Sequence, residues 1–493
     1  MKIRHTIVPT LTAALICGCA TVPAADERID QSVGKQVQLP QRTAAPVASL
    51  SPIADVVPDA TGVWRSNGYG YLADLSGEEP AYYSVFGSAC QPFHADEEGI
   101  FPALELALIS DDRQLLTVGA SVEPHVYEFN RLPALPERCS ARPDTGLANT
   151  FESFAHQMQT HYVFFDRYDV DWQDRVLAAR AKLAGIETES QLFDLFVNML
   201  TGIEDGHLEL RAEIDGDERE YDPGEATAYR RAIARGASEG LSLGEAKRAF
   251  DRAVFSEGIQ ANILHGEGAV AGERFIRYGL AAPDVGYIAT YVSAGFSSRD
   301  FGDPIGDLAV LEDALDDALT EFEKAGVKAV IFDASMNHGG HDFISRAMAS
   351  RFAAEPRSAY SKFAGDADKP YRTDIPVVPS DRKRFTGPVY LLTSSITVSA
   401  GEILTLSMRA LPNVTHVGAP TRGALSDILE KRLPNGWALA MSNEVYVAPD
   451  GKSWEGRGIA PEVPIAVFDG DDPAKSHLEA VRTIVAIARN ANP

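Results

Sequence analysis

Three short stretches of this chain combine residue types that can do covalent chemistry. The first is Thr393-Ser394-Ser395-Ile396-Thr397-Val398-Ser399-Ala400-Gly401-Glu402, set between an apolar run at 389–392 and an apolar helical pattern. A Ser at a helix start exposes its hydroxyl while the following amides, Ala400 first, point at the same spot, which suits a nucleophile and its oxyanion. The same position equally suits a helix N-cap. The second stretch, Asp333-Ala334-Ser335-Met336-Asn337-His338-Gly339-Gly340, ends another apolar run. Its paired glycines let the amide of Gly339 or Gly340 approach a carbonyl oxygen, although Gly-Gly after a strand is commonly just a turn. The third, Asp205-Gly206-His207, offers an imidazole, the usual base for activating a hydroxyl near neutral pH, though a single His is more often structural.

Other candidates carry less. His338 and His341 flank the glycines as rival bases, His416 sits in a strand pattern and reads as structural, and Glu402 reads as a capping or supporting residue. No Cys-His cluster, His-Glu-x-x-His spacing or phosphate-cradling glycine loop occurs, so neither a metal nor a cofactor is expected.

These stretches need a scaffold, and from about 271 to 470 strand and helix patterns alternate: 285–291, a long helix at 305–325, a buried strand at 328–333, a helix after Asp342, a strand at 388–393, a helix after Ser399 and strands near Val414 and Trp437. Alternation of this kind predicts an α/β domain with a mainly parallel sheet covered on both faces, its loops gathering where strands end. Upstream, apolar residues at helical spacing (Phe151, Phe154, Met158; Leu192, Phe196, Met199) predict a helical domain over 148–212, and a polar, Ala-rich helical insert over 213–270 follows. Short alternating aromatic runs between turn residues predict a small antiparallel β domain over 51–147, and 471–493 reads as a C-terminal helix.

Together the motifs resemble those of the S41 peptidases, the C-terminal-processing, tail-specific and tricorn-core group. The carriers are Ser-x-Ala/Ser-x-Glu after a strand, Asp-x-x-x-Asn-x-Gly-Gly one βα unit earlier, and Glu455-Gly456-Arg457-Gly458-Ile459-Ala460-Pro461-Glu462, which is similar to the family's Gly-Ile-x-Pro-Asp/Glu segment. One branch of that family uses a Ser-Lys dyad. Here Ala424 stands where the lysine would fall, and Arg422 stays protonated and is a poor base. The resemblance therefore implies the Ser-His-Glu branch on a ClpP/crotonase-like fold: Ser399 as nucleophile, His207 as base, Glu455 to orient and stabilise the imidazolium, and amides of Ala400 and Gly339 or Gly340 for the oxyanion. It implies a protein or peptide substrate, with a binding protein or an esterase on the same fold as alternatives. Two departures stand out: Gly206 where the tricorn branch places a Ser, and Ser335 where relatives carry Arg.

Composition bounds the surroundings. The chain has 493 residues and a formal charge of -25, which makes nucleic acid an unfavourable partner. Lys2 and Arg4 precede an apolar run too short to span a bilayer, and Ile16-Cys17-Gly18-Cys19 resembles a bacterial lipobox. The expectation is a secreted lipoprotein of the periplasm or cell envelope, anchored in the membrane through acylated Cys19, with 20–50 as a flexible linker. A plain signal peptide cut near Ala24 is the alternative. Cys90 and Cys139 then remain, expected to pair in an oxidising compartment or else to stay as two buried thiols.

Overall fold

The computed structural model describes residues 35–56, 58–87, 89–94, 104–140, 144–299 and 301–491. Cys19 lies outside them. At its centre is a seven-stranded sheet in the spatial order Ala269–Ala271, Ile276–Ala282, Val285–Thr290, Ala329–Asp333, Val389–Thr393, Val414–Gly418 and Val463–Pro464. The first two pairings are antiparallel and the remaining four parallel. Every residue of Ala329–Asp333 and Val389–Thr393 is buried, as expected for uninterrupted apolar strands covered on both faces.

The two faces use alternate residues of the same strands. Val330, Phe332 and Leu391 pack against the helices Pro304–Ala325, Asp342–Ser350 and Ala400–Arg409. Ile331, Tyr390 and Leu392 pack against Phe250, Phe255 and the C-terminal helix Pro473–Ala491, through Val481 and Ile484. The long helix carries its own boundaries: the Asp303 side chain accepts from the Gly306 amide (2.9 Å), Pro304 opens the first turn, and Gly326 ends it in the left-handed region at φ 70.

An eight-stranded antiparallel sheet over 51–132 precedes the helices Leu147–His161, Trp172–Arg180 and Glu189–Leu200. Trp64, Tyr71 and Phe129 of the sheet share one core with Phe151, Phe154 and Phe196 of the helices, so two segments with different periodicities fill a common interior. Cys90 and Cys139 are joined by a disulfide, with their Cα atoms 4.8 Å apart.

Two sequence expectations need correction. The segment after His207 opens with a hairpin, Glu209–Ile214 and Asp217–Tyr221, before the helices Thr227–Ser238 and Leu243–Asp251. Leu210, Ala212 and Ile214 turn inward while Arg211 and Glu213 face solvent, a period-two pattern that the Ala-rich composition downstream obscured. This hairpin extends a four-stranded sheet with Ala438–Ser442 and Ile428–Arg432. The second correction concerns the linker: Lys35–Gln36 pairs with 452–453 and Arg42–Thr43 with 371–372, so the described half of 20–50 is stitched to the C-terminal half of the chain. A Pro-rich composition does not prevent a short edge strand from pairing when its partner presents free backbone groups. Among the described residues no helix is long and apolar enough to cross a membrane.

Candidate active site

Ser399 occupies the turn between the strand Val389–Thr393 and the helix Ala400–Arg409, with φ 57 and ψ -128. A non-glycine residue in that region costs on the order of 1–3 kcal/mol and persists only where its surroundings impose it. They do so through a dense set of bonds. The Ser394 hydroxyl donates to the Ser335 carbonyl (2.5 Å), the Thr397 hydroxyl to the Ala334 carbonyl (2.7 Å), and the Ser399 amide to the Ala424 carbonyl (2.9 Å). Although Ser399 stands at the N-cap position, its side chain makes no capping hydrogen bond. The structural role that competed with nucleophile in the sequence is thus left unfilled.

The glycine loop lies directly on this turn. A Cβ built on Gly339, at φ 87, would come within 2.6 Å of the Ser399 Cβ, so only glycine fits. The Gly339 amide donates to Asn337 Oδ1 (2.9 Å), which takes it out of the candidate oxyanion donors. Gly340 remains, exposed and paired with Ser293 as an isolated bridge, and Ala400 stands at the first helical position after Ser399. Asn337 itself is fixed by its side-chain amide, which donates to the Thr290 hydroxyl (2.9 Å).

His207 is held by Asp205, a residue sequence reasoning gave no role. One Asp205 oxygen accepts from the His207 amide (2.8 Å) and the Ser442 hydroxyl (3.0 Å), and the other from the Tyr162 hydroxyl (3.0 Å). The imidazole is 7% exposed and its Nδ1 has no partner among the described residues. Burial pulls its pKa below the ordinary 6.5, with Arg422 adding to the fall and Asp205 and Asp427 opposing it. The turn itself explains Gly206: a Cβ there would sit 3.1 Å from both the Ala424 methyl and Arg422 Nε.

Glu455 is buried, and its Oε2 accepts from the amides of Leu425 (3.0 Å) and Ser426 (3.1 Å) while Oε1 has no partner. Burial pushes this carboxyl well above the usual range, with Asp205 and Glu402 adding to it and the two amides opposing. Thus the segment 422–427 touches all three candidates: Ala424 through the Ser399 amide and Gly206, Leu425 and Ser426 through Glu455. The imidazole and the carboxylate do not hydrogen-bond through Nδ1 and Oε1 in this unliganded arrangement. Glu402 does more than cap its helix. Oε1 accepts from the Thr421 hydroxyl and Gly423 amide (2.5 and 2.9 Å) and Oε2 from the Ala424 amide (2.8 Å), and burial raises its pKa to about 7.

Two of the other histidines are occupied elsewhere, whereas His341 Nε2 is buried with no partner among the described residues. His338 Nε2 meets the Tyr229 hydroxyl (2.9 Å), and burial lowers its pKa to about 3. His416 uses both ring nitrogens, on Thr393 (2.7 Å) and Arg409 (2.9 Å). His341 stacks on Phe343 with ring centroids 5.7 Å apart. Buried Lys362 bonds Asp427 (2.6 Å) and Tyr446 (3.0 Å); burial acts against its charge, yet Asp427 and Glu444 raise it well above 10.5, so it is no dyad base. At the Ser335 departure, buried Asp333 bonds His477 (2.6 Å) and Tyr287 (2.5 Å). Burial pushes that carboxyl up, but these partners bring it below its ordinary value. Among the described residues no group of three or more His, Cys, Asp or Glu could hold a metal ion.

Residues 298–465 match the model of peptidase family S41, a span that contains Ser399, Glu455 and both glycines and leaves His207 outside. A Chlamydia pneumoniae protein, CPj1016/CpB1054, is 25% identical over 122 residues, 24% of this chain, and the match spans only 20% of that protein's length. Among solved structures, a candidate peptidase from Parabacteroides merdae is 25% identical with a TM-score of 0.55, covering 70% of this chain and 97% of that one. Mature CPAF shares the fold at 13% identity and a TM-score of 0.51, covering 70% and 98%. Over residues 298–465, about a third of its length, this chain is thus similar to the serine peptidases of family S41.

Proposed function

We propose that the chain is a serine endopeptidase in which Ser399, His207 and Glu455 act in sequence. Ser399 Oγ attacks the scissile carbonyl as His207 takes its proton, and the resulting oxyanion is stabilised by the Ala400 and Gly340 amides. The tetrahedral species collapses to an acyl-enzyme, the leaving amine receiving the proton from His207. Water then repeats the sequence to free the new carboxyl terminus and regenerate Ser399. Protonation of His207 creates a cation near the Glu455 carboxyl, and their mutual attraction favours the imidazolium–carboxylate state. The single observation that carries this reading is the strained Ser399 turn, whose hydroxyl caps no helix amide and whose Cβ lies against a glycine loop too close for any side chain.

A fluorophosphonate probe tests it. Labelling of the intact chain that disappears in Ser399→Ala, together with peptide cleavage falling by about 10⁴-fold or more, is the expected outcome. Absence of labelling on folded protein points to a second reading, a non-catalytic peptide binder. What favours that reading is the pair of unpartnered atoms, His207 Nδ1 and Glu455 Oε1. Setting simple esters beside peptides separates peptidase from esterase.

The lipobox reading supports attachment to a cell-envelope membrane through Cys19. Release of the protein into the soluble fraction by Cys19→Ala, with export intact, is the expected result; retention in the membrane fraction removes the proposal.

A further inference from the structure

A cleft of about 610 Å³ runs beside the site, between the turn 419–422, Gly456 and the start of the insert. Its ionic lining is unbalanced. Of its acids, Glu204 is paired with Arg230 (2.8 Å), Asp469 with Arg231, and Glu225 with Lys247. The side chains of two further arginines of the lining, Arg167 and Arg422, take part in none of these ion pairs. Neither belongs to a flexible surface. The Arg422 amide donates to the Thr397 carbonyl (2.9 Å), its neighbours Thr421 and Gly423 are bonded to Glu402, and its Nε lies 3.1 Å from where a Gly206 Cβ would stand. Arg167 and Tyr168 close the other wall, with a Cβ on Gly456 falling 3.3 Å from both the Arg167 Cβ and the Tyr168 hydroxyl oxygen. Arg167 Nη1 and the Tyr168 hydroxyl are both buried without partners.

Unmatched guanidinium groups beside an unpartnered phenol, in a cleft next to Glu455, call for an anionic ligand. In a chain of net charge -25 such a concentration of cations is a local exception. Arginine favours carboxylates because its planar fork matches two oxygens at once. The walls come from the helical segment and from the stretch leading into the turn that fixes Ser399. We propose that Arg422 and Arg167 form a carboxylate-binding subsite that selects substrates carrying an acidic group close to the bond to be cut. The subsite depends on the peptidase reading only for the identity of its ligand as substrate.

The test uses the intact chain carrying Ser399→Ala and fluorescent peptides that are acetylated and amidated, identical except for Glu against Gln at one position. Anisotropy should show the Glu peptide binding at least about tenfold tighter, the preference shrinking as salt rises from about 50 to 500 mM. Arg422→Gln and, on a different element, Arg167→Gln should each abolish most of the preference, with unchanged thermal midpoints showing that the fold is kept. Arg422→Glu should turn the preference toward a Lys peptide. A matched pair with a free or amidated C-terminus asks whether a terminal carboxylate serves equally; preference for either source supports the subsite. Equal binding of Glu, Gln and free-terminus peptides overturns it, even if the wild-type chain cleaves all of them. Selective binding without cleavage by the wild type leaves the subsite standing and removes the peptidase reading instead.

Discussion

Two buried carboxylates grip adjacent residues of one turn, and they differ in what they leave open. Glu402 accepts three hydrogen bonds and has no free oxygen. Glu455 accepts two, both on Oε2, and keeps Oε1 unpartnered in a site where an orphan acceptor costs about 1–3 kcal/mol. Fully satisfied burial is what stability alone would select. In the proposed mechanism the open Oε1 would receive the His207 imidazolium, whose Nδ1 is equally unpartnered.

That contrast breaks if the two glutamates respond alike to amidation. Glu455→Gln keeps an oxygen for the Leu425 and Ser426 amides but removes the charge that stabilises an imidazolium, so kcat/KM should fall by about 10² to 10⁴ with the thermal midpoint nearly unchanged. The pH profile sharpens the point. The His207 ring must be neutral to accept a proton, and its pKa is lowered, so the acid limb of kcat/KM should have its midpoint below 6.5 and lie lower still in Glu455→Gln.

Gly339→Ala tests the glycine loop against the Ser399 turn. Its methyl has no room beside Ser399, and the backbone is at φ 87, so activity should drop by about 10²-fold or more and stability by about 1–3 kcal/mol, read by kinetics and denaturant titration.

Glu402→Gln should show the reverse of Glu455→Gln: a loss of about 1–3 kcal/mol because an amide nitrogen cannot accept from Ala424, with a smaller loss of activity, near tenfold. Its pH signature has a definite sign. A carboxyl at about 7 when folded and 4.5 otherwise binds more protons in the native state between those values, so its contribution to stability declines as pH rises through that window. Denaturation midpoints across the window should slope less steeply downward in the variant than in the wild type.

The smallest effect on catalysis is expected at the disulfide of the β region. Replacing Cys90 and Cys139 by Ser opens a loop spanning a sequence separation of 49, which should cost about 2–4 kcal/mol in the β region and leave kcat/KM within about twofold. A large catalytic loss would mean that the shared core around Trp64 and Phe151 transmits to the site.

Much of the central sheet was readable because its signals are local. Uninterrupted apolar runs at 329–333 and 389–393, each ending in small polar residues, define strand, turn and helix within about ten residues. Ser399 and the glycine loop were legible for the same reason. What stayed hidden depends on contacts between distant stretches. Nothing in Thr421-Arg422-Gly423-Ala424-Leu425-Ser426 marks it as the segment on which Ser399, Gly206 and Glu455 all lean, since each contact reaches across tens to hundreds of residues. Asp205 looked like ordinary turn chemistry, yet three donors converge on it. The answer to the missing arginine at Ser335 was likewise remote, coming from His477 in the last helix. The hairpin after His207 was different: its alternation was present in 209–214, and the composition that follows outweighed it.

The pairing of Lys35–Gln36 with 452–453 fixes a leash length. If acylated Cys19 sits in a bilayer, the stretch from there to Lys35 reaches about 55 Å at full extension, and the strand it joins ends two residues before Glu455. The enzyme would then work as a grazer held close to its own membrane, able to swing and turn but not to roam, and its accessible prey would be whatever protrudes into that shallow zone.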